Sequence, residues 1–159
     1  MSGEAEARLA ALGLVLPPPP APGGFYAPAM RAGDVVHVSG AIGTEFVDGA
    51  WRLPLRGALG GAVSLEQGRD SARLCVLNHL AALKALLGDL DAVTQVVKLT
   101  GYVHAAPGFT KAPLVLDAAS ELLVAVFGPE RGRHARVAAY QHTMSFDAPL
   151  ETELLVTVR

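Results

Sequence analysis

Apolar residues recur at helical spacing between residues 65 and 87. Leu65, Ala72, Val76, Leu80, Leu83 and Leu87 form one stripe, with Arg69, Asp70, Arg73 and Lys84 largely off it. Ser64-Leu65-Glu66-Gln67 is a capping-box signature that starts this helix, and Gly88 stops it. A second apolar helical segment, 114–127, follows Pro113, where a first turn tolerates proline, and ends at Gly128. Between the two helices, residues 94–104 alternate: Val97, Leu99 and Val103 share one face, and Lys98, Thr100, Tyr102 and His104 the other. That period of two predicts a strand. Residues 26–39 read as a hairpin turning at Arg31-Ala32-Gly33-Asp34, with the β-branched run Val35-Val36-His37-Val38 closed by Ser39-Gly40. A loop with Gly43 and Asp48-Gly49 leads to a short strand around Trp51-Arg52-Leu53, and two further strands span 134–142 and 150–158.

Upstream, residues 2–12 predict a short amphipathic helix with Leu9 and Leu12 on one side. Helix nucleation is costly, so a segment this short must dock on the rest or fray. Pro17-Pro18-Pro19-Pro20-Ala21-Pro22 is an extended connector, because proline fixes φ and removes backbone donors. The chain thus divides into an N-terminal arm, 1–24, and a domain, 25–159. Two long helices packed on one face of a mixed β-sheet make an α+β layer structure.

Composition narrows the partners. A chain of 159 residues, 51% hydrophobic, fits one domain with a real core. The formal net charge is -2 and the basic residues are scattered, so no basic stripe exists to follow a phosphate backbone, and nucleic acid is not an expected partner. The single cysteine, Cys75, excludes an internal disulfide and any CxxC pair; it reads as a small core residue. No apolar run approaches a membrane span, and MSGEAEARLAALG lacks the basic and apolar regions of a signal peptide. A cytoplasmic protein without a membrane partner is expected.

The candidate chemistry is sparse. The histidines (37, 79, 104, 134 and 142) show neither HxH nor HExxH spacing, so no metal site is expected. There is no GxxxxGK[ST] or GxGxxG phosphate loop and no GxSxG elbow. What remains is Arg131-Gly132-Arg133-His134-Ala135-Arg136, a positive cluster at a strand entrance. It reads as a solvated turn or as an anion site. Arg136 stands apart because alternation places it inside the strand, on one face with Ala138, Tyr140 and His142. Its planar fork matches a carboxylate or phosphate. Glu151 and Glu153 open the last strand; either could be the structural partner of Arg136 or a proton-transfer group beside a ligand held there.

The chain resembles the reactive-intermediate deaminase family, RidA/YjgF, also called endoribonuclease L-PSP-like. The resemblance rests on FYAPAMRAGDVVHVSGAIG, on VVKLTGYV followed by the F-T-x-x-P helix start, on GRHAR and on ETEL, in that order over nearly the whole chain. It implies a chorismate-mutase-like fold assembled as a homotrimer, with sites in clefts between subunits. Active members hydrolyse 2-imino acids to 2-oxo acids and ammonia without metal or organic cofactor. Carried over by motif, Arg136 would grip a small substrate's carboxylate, and Glu151 would orient or activate water. Tyr26, Ser39 and Gly40 would border the pocket. The alternatives are a non-catalytic trimeric binding protein for a small carboxylate metabolite, and an endoribonuclease, against which the charge argues. After the arginine the chain departs from the family pattern: Val137 and Ala138 follow it, and the stretch from Tyr140 to Phe146 replaces V-x-x-L-P.

Overall fold

The computed structural model describes residues 3–159. The elements in chain order are α1 (Glu4–Ala11), β1 (Ala29–Ala32), β2 (Val35–Ile42), β3 (Glu45–Val47), β4 (Ala50–Arg52), α2 (Leu65–Leu87), β5 (Val93–His104), α3 (Ala112–Arg131), β6 (Ala135–Gln141) and β7 (Leu150–Val158). The capping box at the start of α2 is complete. Ser64 Oγ accepts the Gln67 backbone N–H at 3.2 Å, and the Gln67 side-chain oxygen accepts the Ser64 N–H at 2.9 Å. Two donors that a helix start leaves open are thereby satisfied. Gly88 ends the helix at φ 79, a conformation that glycine adopts without Cβ strain.

Five strands form one sheet in the order β1-β2-β7-β5-β6. The β5–β6 pair is parallel and the other pairs are antiparallel, so the sheet is mixed as expected. β3 and β4 make a separate hairpin through Asp48-Gly49, both at positive φ, the geometry of a tight two-residue turn. Along β7, Leu150, Thr152, Leu154, Val156 and Val158 are buried beneath the helices, while Glu151, Glu153, Leu155 and Thr157 point to the helix-free face. Leu80, Leu83, Leu116, Leu123 and Phe127 fill the core between layers, and Cys75 is buried among them. The chain thus has the expected α+β architecture.

Three local expectations change. Ser39-Gly40 does not end the strand: β2 continues to Ile42, and a register shift between Val38 and Ala41 carries both residues inside the sheet. In β5 a second irregularity makes Val97 the unpaired residue, since Val96 faces Val156 and Lys98 faces Leu155; Val96, not Val97, is fully buried. On α1, Ala5 and Leu9 join the core, but Leu12 is half exposed because the helix has already ended. Ser2, the first residue expected in that helix, lies outside the described residues.

Docking stabilises α1. The Asp91 carboxylate accepts the backbone N–H groups of Glu4 and Ala5, and Arg131 Nη2 reaches Asp91 Oδ1 at 3.2 Å. Hydrogen bonds from those amides and from Arg131 hold the Asp91 carboxyl below the usual range, against the opposing effect of burial. By length and mean hydropathy α3 is apolar enough to cross a membrane, although Asp117, Ser120 and Glu121 interrupt its apolar run. Its apolar residues, Val115, Leu116, Leu122, Leu123 and Val126 among them, are buried in the core instead. Its regular geometry breaks at Gly128, at φ 85, where the spacing predicts the stop.

Candidate functional site

A cleft of about 510 Å³ gathers Tyr26, Ser39, Gly40 and Glu151, together with Ile42, Ser145 and Phe146. Four of the five residues expected to form a site therefore meet in one place. The bulge in β2 brings this about. Without it, one more residue of regular pairing would turn Gly40 and Ile42 over relative to Glu151 on β7. Ser39 Oγ donates to the Ala27 carbonyl at 2.6 Å and ties the cleft's rim to the segment before β1. Tyr26 is half exposed, and its hydroxyl accepts the Gly23 N–H at 3.1 Å, which closes the end of the proline arm onto the cleft.

Glu151 is half-buried. Burial pushes its carboxyl up, and the like charge of Glu153 adds to the effect. A carboxylate raised in this way binds a proton more readily at the cleft wall, as proton transfer requires. Glu153 is exposed on the same face and accepts the Tyr102 hydroxyl at 3.4 Å; its charge raises the Tyr102 phenol in turn.

Arg136 is not in this cleft. It pairs in register with Leu99, a core-facing residue, so its side chain points toward α3. There Nη1 reaches Asp117 Oδ1 at 2.9 Å and Ser120 Oγ at 3.1 Å, and Nη2 donates to the Pro113 carbonyl at 3.3 Å. The structural partner of Arg136 within the chain is therefore Asp117, and neither Glu151 nor Glu153. The two glutamates sit on the opposite face of the sheet. The rest of the arginine cluster disperses too. Arg131 staples α1 through Asp91 and Glu4. His134 Nδ1 donates to the Gly132 carbonyl at 2.7 Å, which leaves Nε2 to accept from Ser120 Oγ at 2.9 Å. Tyr140 and His142 line neither this cleft nor the cavity beside it.

A second cavity of about 330 Å³ opens next to the cleft and shares Gly23, Tyr26, Ser39, Gly40, Ile42 and Phe146 with it. The proline arm covers it, and Asn78 and His79 of α2 line it. His79 Nε2 lies 2.8 Å from Thr152 Oγ1, and burial lowers its pKa to about 4, so the imidazole is neutral at physiological pH. Burial pushes the Cys75 thiol up to about 12, which leaves it inert as a nucleophile.

His79, Asn78, Trp51 and Phe146 were not among the expected site residues. His79 had a readable signal: it falls three residues after Val76, a polar side chain on the apolar stripe. Phe146 had none, because its place depends on an irregular turn, Ser145–Asp147. Among the described residues no three His, Cys, Asp or Glu side chains gather as a metal site would require.

The chain matches, over residues 6–156, the model of the family described as "YjgF/chorismate_mutase-like, putative endoribonuclease". It is 39% identical to Protein TCP17 of Trypanosoma cruzi over 155 residues, 98% of this chain and 94% of that protein. Among solved structures it resembles protein Atu1372 from Agrobacterium tumefaciens, at 35% identity and TM-score 0.87, covering 98% of this chain and 92% of the other. It also resembles a protein from Shewanella oneidensis MR-1 described as a "putative endoribonuclease", at 31% identity and TM-score 0.91, covering 98% and 100%.

Proposed function

Since the chain belongs to the YjgF/chorismate mutase-like family, we propose that it hydrolyses 2-imino acids, or their enamine tautomers, to 2-oxo acids and ammonia. The observation that carries this reading is Glu151: a half-buried carboxylate with a raised pKa, in a cleft with Tyr26, Ser39 and Gly40. Imine hydrolysis needs a placed water and a group that moves protons. Glu151 takes a proton from water as the water oxygen bonds to the C=N carbon, and passes that proton to the nitrogen, giving a carbinolamine. Glu151 then takes the hydroxyl proton as C=O forms and the C–N bond breaks, and gives it to the departing nitrogen, which leaves as ammonia. No electron is gained or lost overall. Tyr26 and Ser39 line the space in which the imine lies.

The substrate's carboxylate needs an anchor, and Arg136 is the residue proposed for it. Arg136 and Glu151 lie on opposite faces of the sheet, so one chain alone does not bring them together. A homotrimer resolves this if Arg136 of the partner subunit borders the Glu151 cleft. Arg136 stands on the edge strand β6, and its side chain is partly exposed next to Asp117, as such a role requires.

The test couples the purified protein to an amino-acid oxidase that generates 2-imino acids, with semicarbazide trapping what survives. The expected result is less semicarbazone with wild type and no reduction with Arg136→Ala or Glu151→Gln. No reduction with wild type for any amino acid overturns hydrolysis. Binding of 2-oxo acids without turnover then makes the protein a carboxylate-binding one. Light scattering tests the assembly, and a monomer removes the intersubunit anchor.

A further inference from the structure

The cavity beneath the proline arm is not needed for the hydrolytic chemistry, yet it opens directly beside Glu151. Its wall is apolar: Pro20 and Pro22 of the arm, Val38 and Ile42 of β2, Ala82 of α2, and Trp51. No Lys, Arg, Asp or Glu lines it among the described residues. Its one imidazole, His79, is neutral above about pH 4. Ligand pockets that hold an apolar group share this volume and character. At its mouth stands Phe146, 71% exposed and at φ 57, a conformation uncommon for a bulky residue. Two hydrogen bonds hold the turn in that shape: Arg56 Nη1 donates to the Phe146 carbonyl at 2.6 Å, and the Gly57 N–H donates to the Asp147 carbonyl at 2.7 Å. Phe146 borders both the cleft and the cavity, so its ring flanks the passage between them. An aromatic ring exposed at that place is not part of the core and is available as a wall of the cavity.

We infer that this cavity receives the substrate's side chain, so that the protein selects 2-imino acids with large, uncharged, apolar side chains over short or charged ones. The inference rests on the hydrolase reading for its substrate class, but the pocket's preference can be read without turnover. Trp51 is the chain's single tryptophan and lines the cavity, so its fluorescence reports occupancy.

The experiment titrates the wild-type protein with 4-methyl-2-oxopentanoate, pyruvate and 2-oxoglutarate, following Trp51 emission and calorimetry. It then compares imine hydrolysis for leucine-, alanine- and glutamate-derived imino acids. The expected result is binding of 4-methyl-2-oxopentanoate at least about 10-fold tighter than either rival, and a similar ratio in kcat/KM, as a few methylenes in an apolar pocket provide. Ala41→Leu, which fills the cavity from β2, and Phe146→Ala, at an exposed position that tolerates truncation, should each cut that ratio. Equal or reversed preference in wild type overturns the inference, as does a ratio unchanged in both variants. Turnover without preference sinks the inference and leaves hydrolysis standing. Preferential binding without turnover of any imine sinks hydrolysis and leaves the pocket standing. No binding and no turnover overturns both.

Discussion

The Glu151 carboxylate lies directly against Gly40: a Cβ at position 40 would overlap Oε1 and stand 3.0 Å from Cδ. The space beside Gly40 is taken by this neighbour, while its own φ is not positive and would admit a side chain. Gly40→Ala therefore displaces a carboxylate at the end of a flexible side chain, with little effect on folding. A shift of about 1 Å in a reacting group costs on the order of 100-fold in rate. The expected outcome is a fall of about 10- to 100-fold in kcat/KM for imine hydrolysis with the melting temperature nearly unchanged. Unaltered kinetics would take Glu151 out of the chemistry.

The raised pKa of Glu151 has a stability consequence with a definite sign. A carboxyl whose folded pKa exceeds its unfolded value favours the fold while protonated. That contribution is complete below the unfolded pKa and is lost as pH rises through the folded one. Glu151→Gln keeps the shape without the charge. The variant should melt higher than wild type at neutral pH, and the two should converge below the carboxylate range. Thermal melts from acid to neutral pH test this, and a gap that is constant with pH would contradict it.

The Arg136–Asp117 pair at 2.9 Å is partly exposed, with side-chain accessibilities of 23% and 42%. Solvent screening limits such a pair to about 1 kcal/mol or less. Asp117→Asn should therefore lower stability by no more than that in urea denaturation. It also removes a carboxylate that competes with a ligand for the same guanidinium. Binding of 2-oxo acids should tighten in Asp117→Asn and be lost in Arg136→Ala. Equal affinity in all three proteins would exclude Arg136 as the anchor.

His79 predicts acid sensitivity. Its pKa falls from 6.5 to about 4 on folding because burial disfavours the charged ring. The stability tied to neutral His79 is present above pH 6.5 and lost as pH drops toward 4, by about 3 kcal/mol in all. His79→Gln can keep a bond to Thr152 Oγ1 and does not titrate. Its urea midpoint should vary less across that window than that of wild type, and equal slopes would assign the acid lability elsewhere.

The elements were legible in the sequence because their causes are local. The stripe from Leu65 to Leu87, the Ser64–Gln67 box and Gly88 each act within a turn or two of helix, and all stand as the spacing predicts. The gathering of Tyr26, Ser39, Gly40 and Glu151 was legible through motif resemblance. Spacing alone said nothing of it, since these residues come from strands and loops more than a hundred positions apart. Their meeting depends on β2 pairing with β7 and on the bulge after Val38, which turns the strand. The same dependence left the direction of Arg136 open. Alternation correctly placed it inside a strand, but the face of that strand is set by its pairing with Leu99. A period of two has no sign by itself. The sequence by itself thus determined the two long helices, most of the strands and the apolar layer they share, but neither β3, which lies in the stretch read as a loop, nor the bulges in β2 and β5. Only the tertiary structure, by placing helices on one face of the sheet, decided that Glu151 lines an open cleft while Arg136 turns to Asp117.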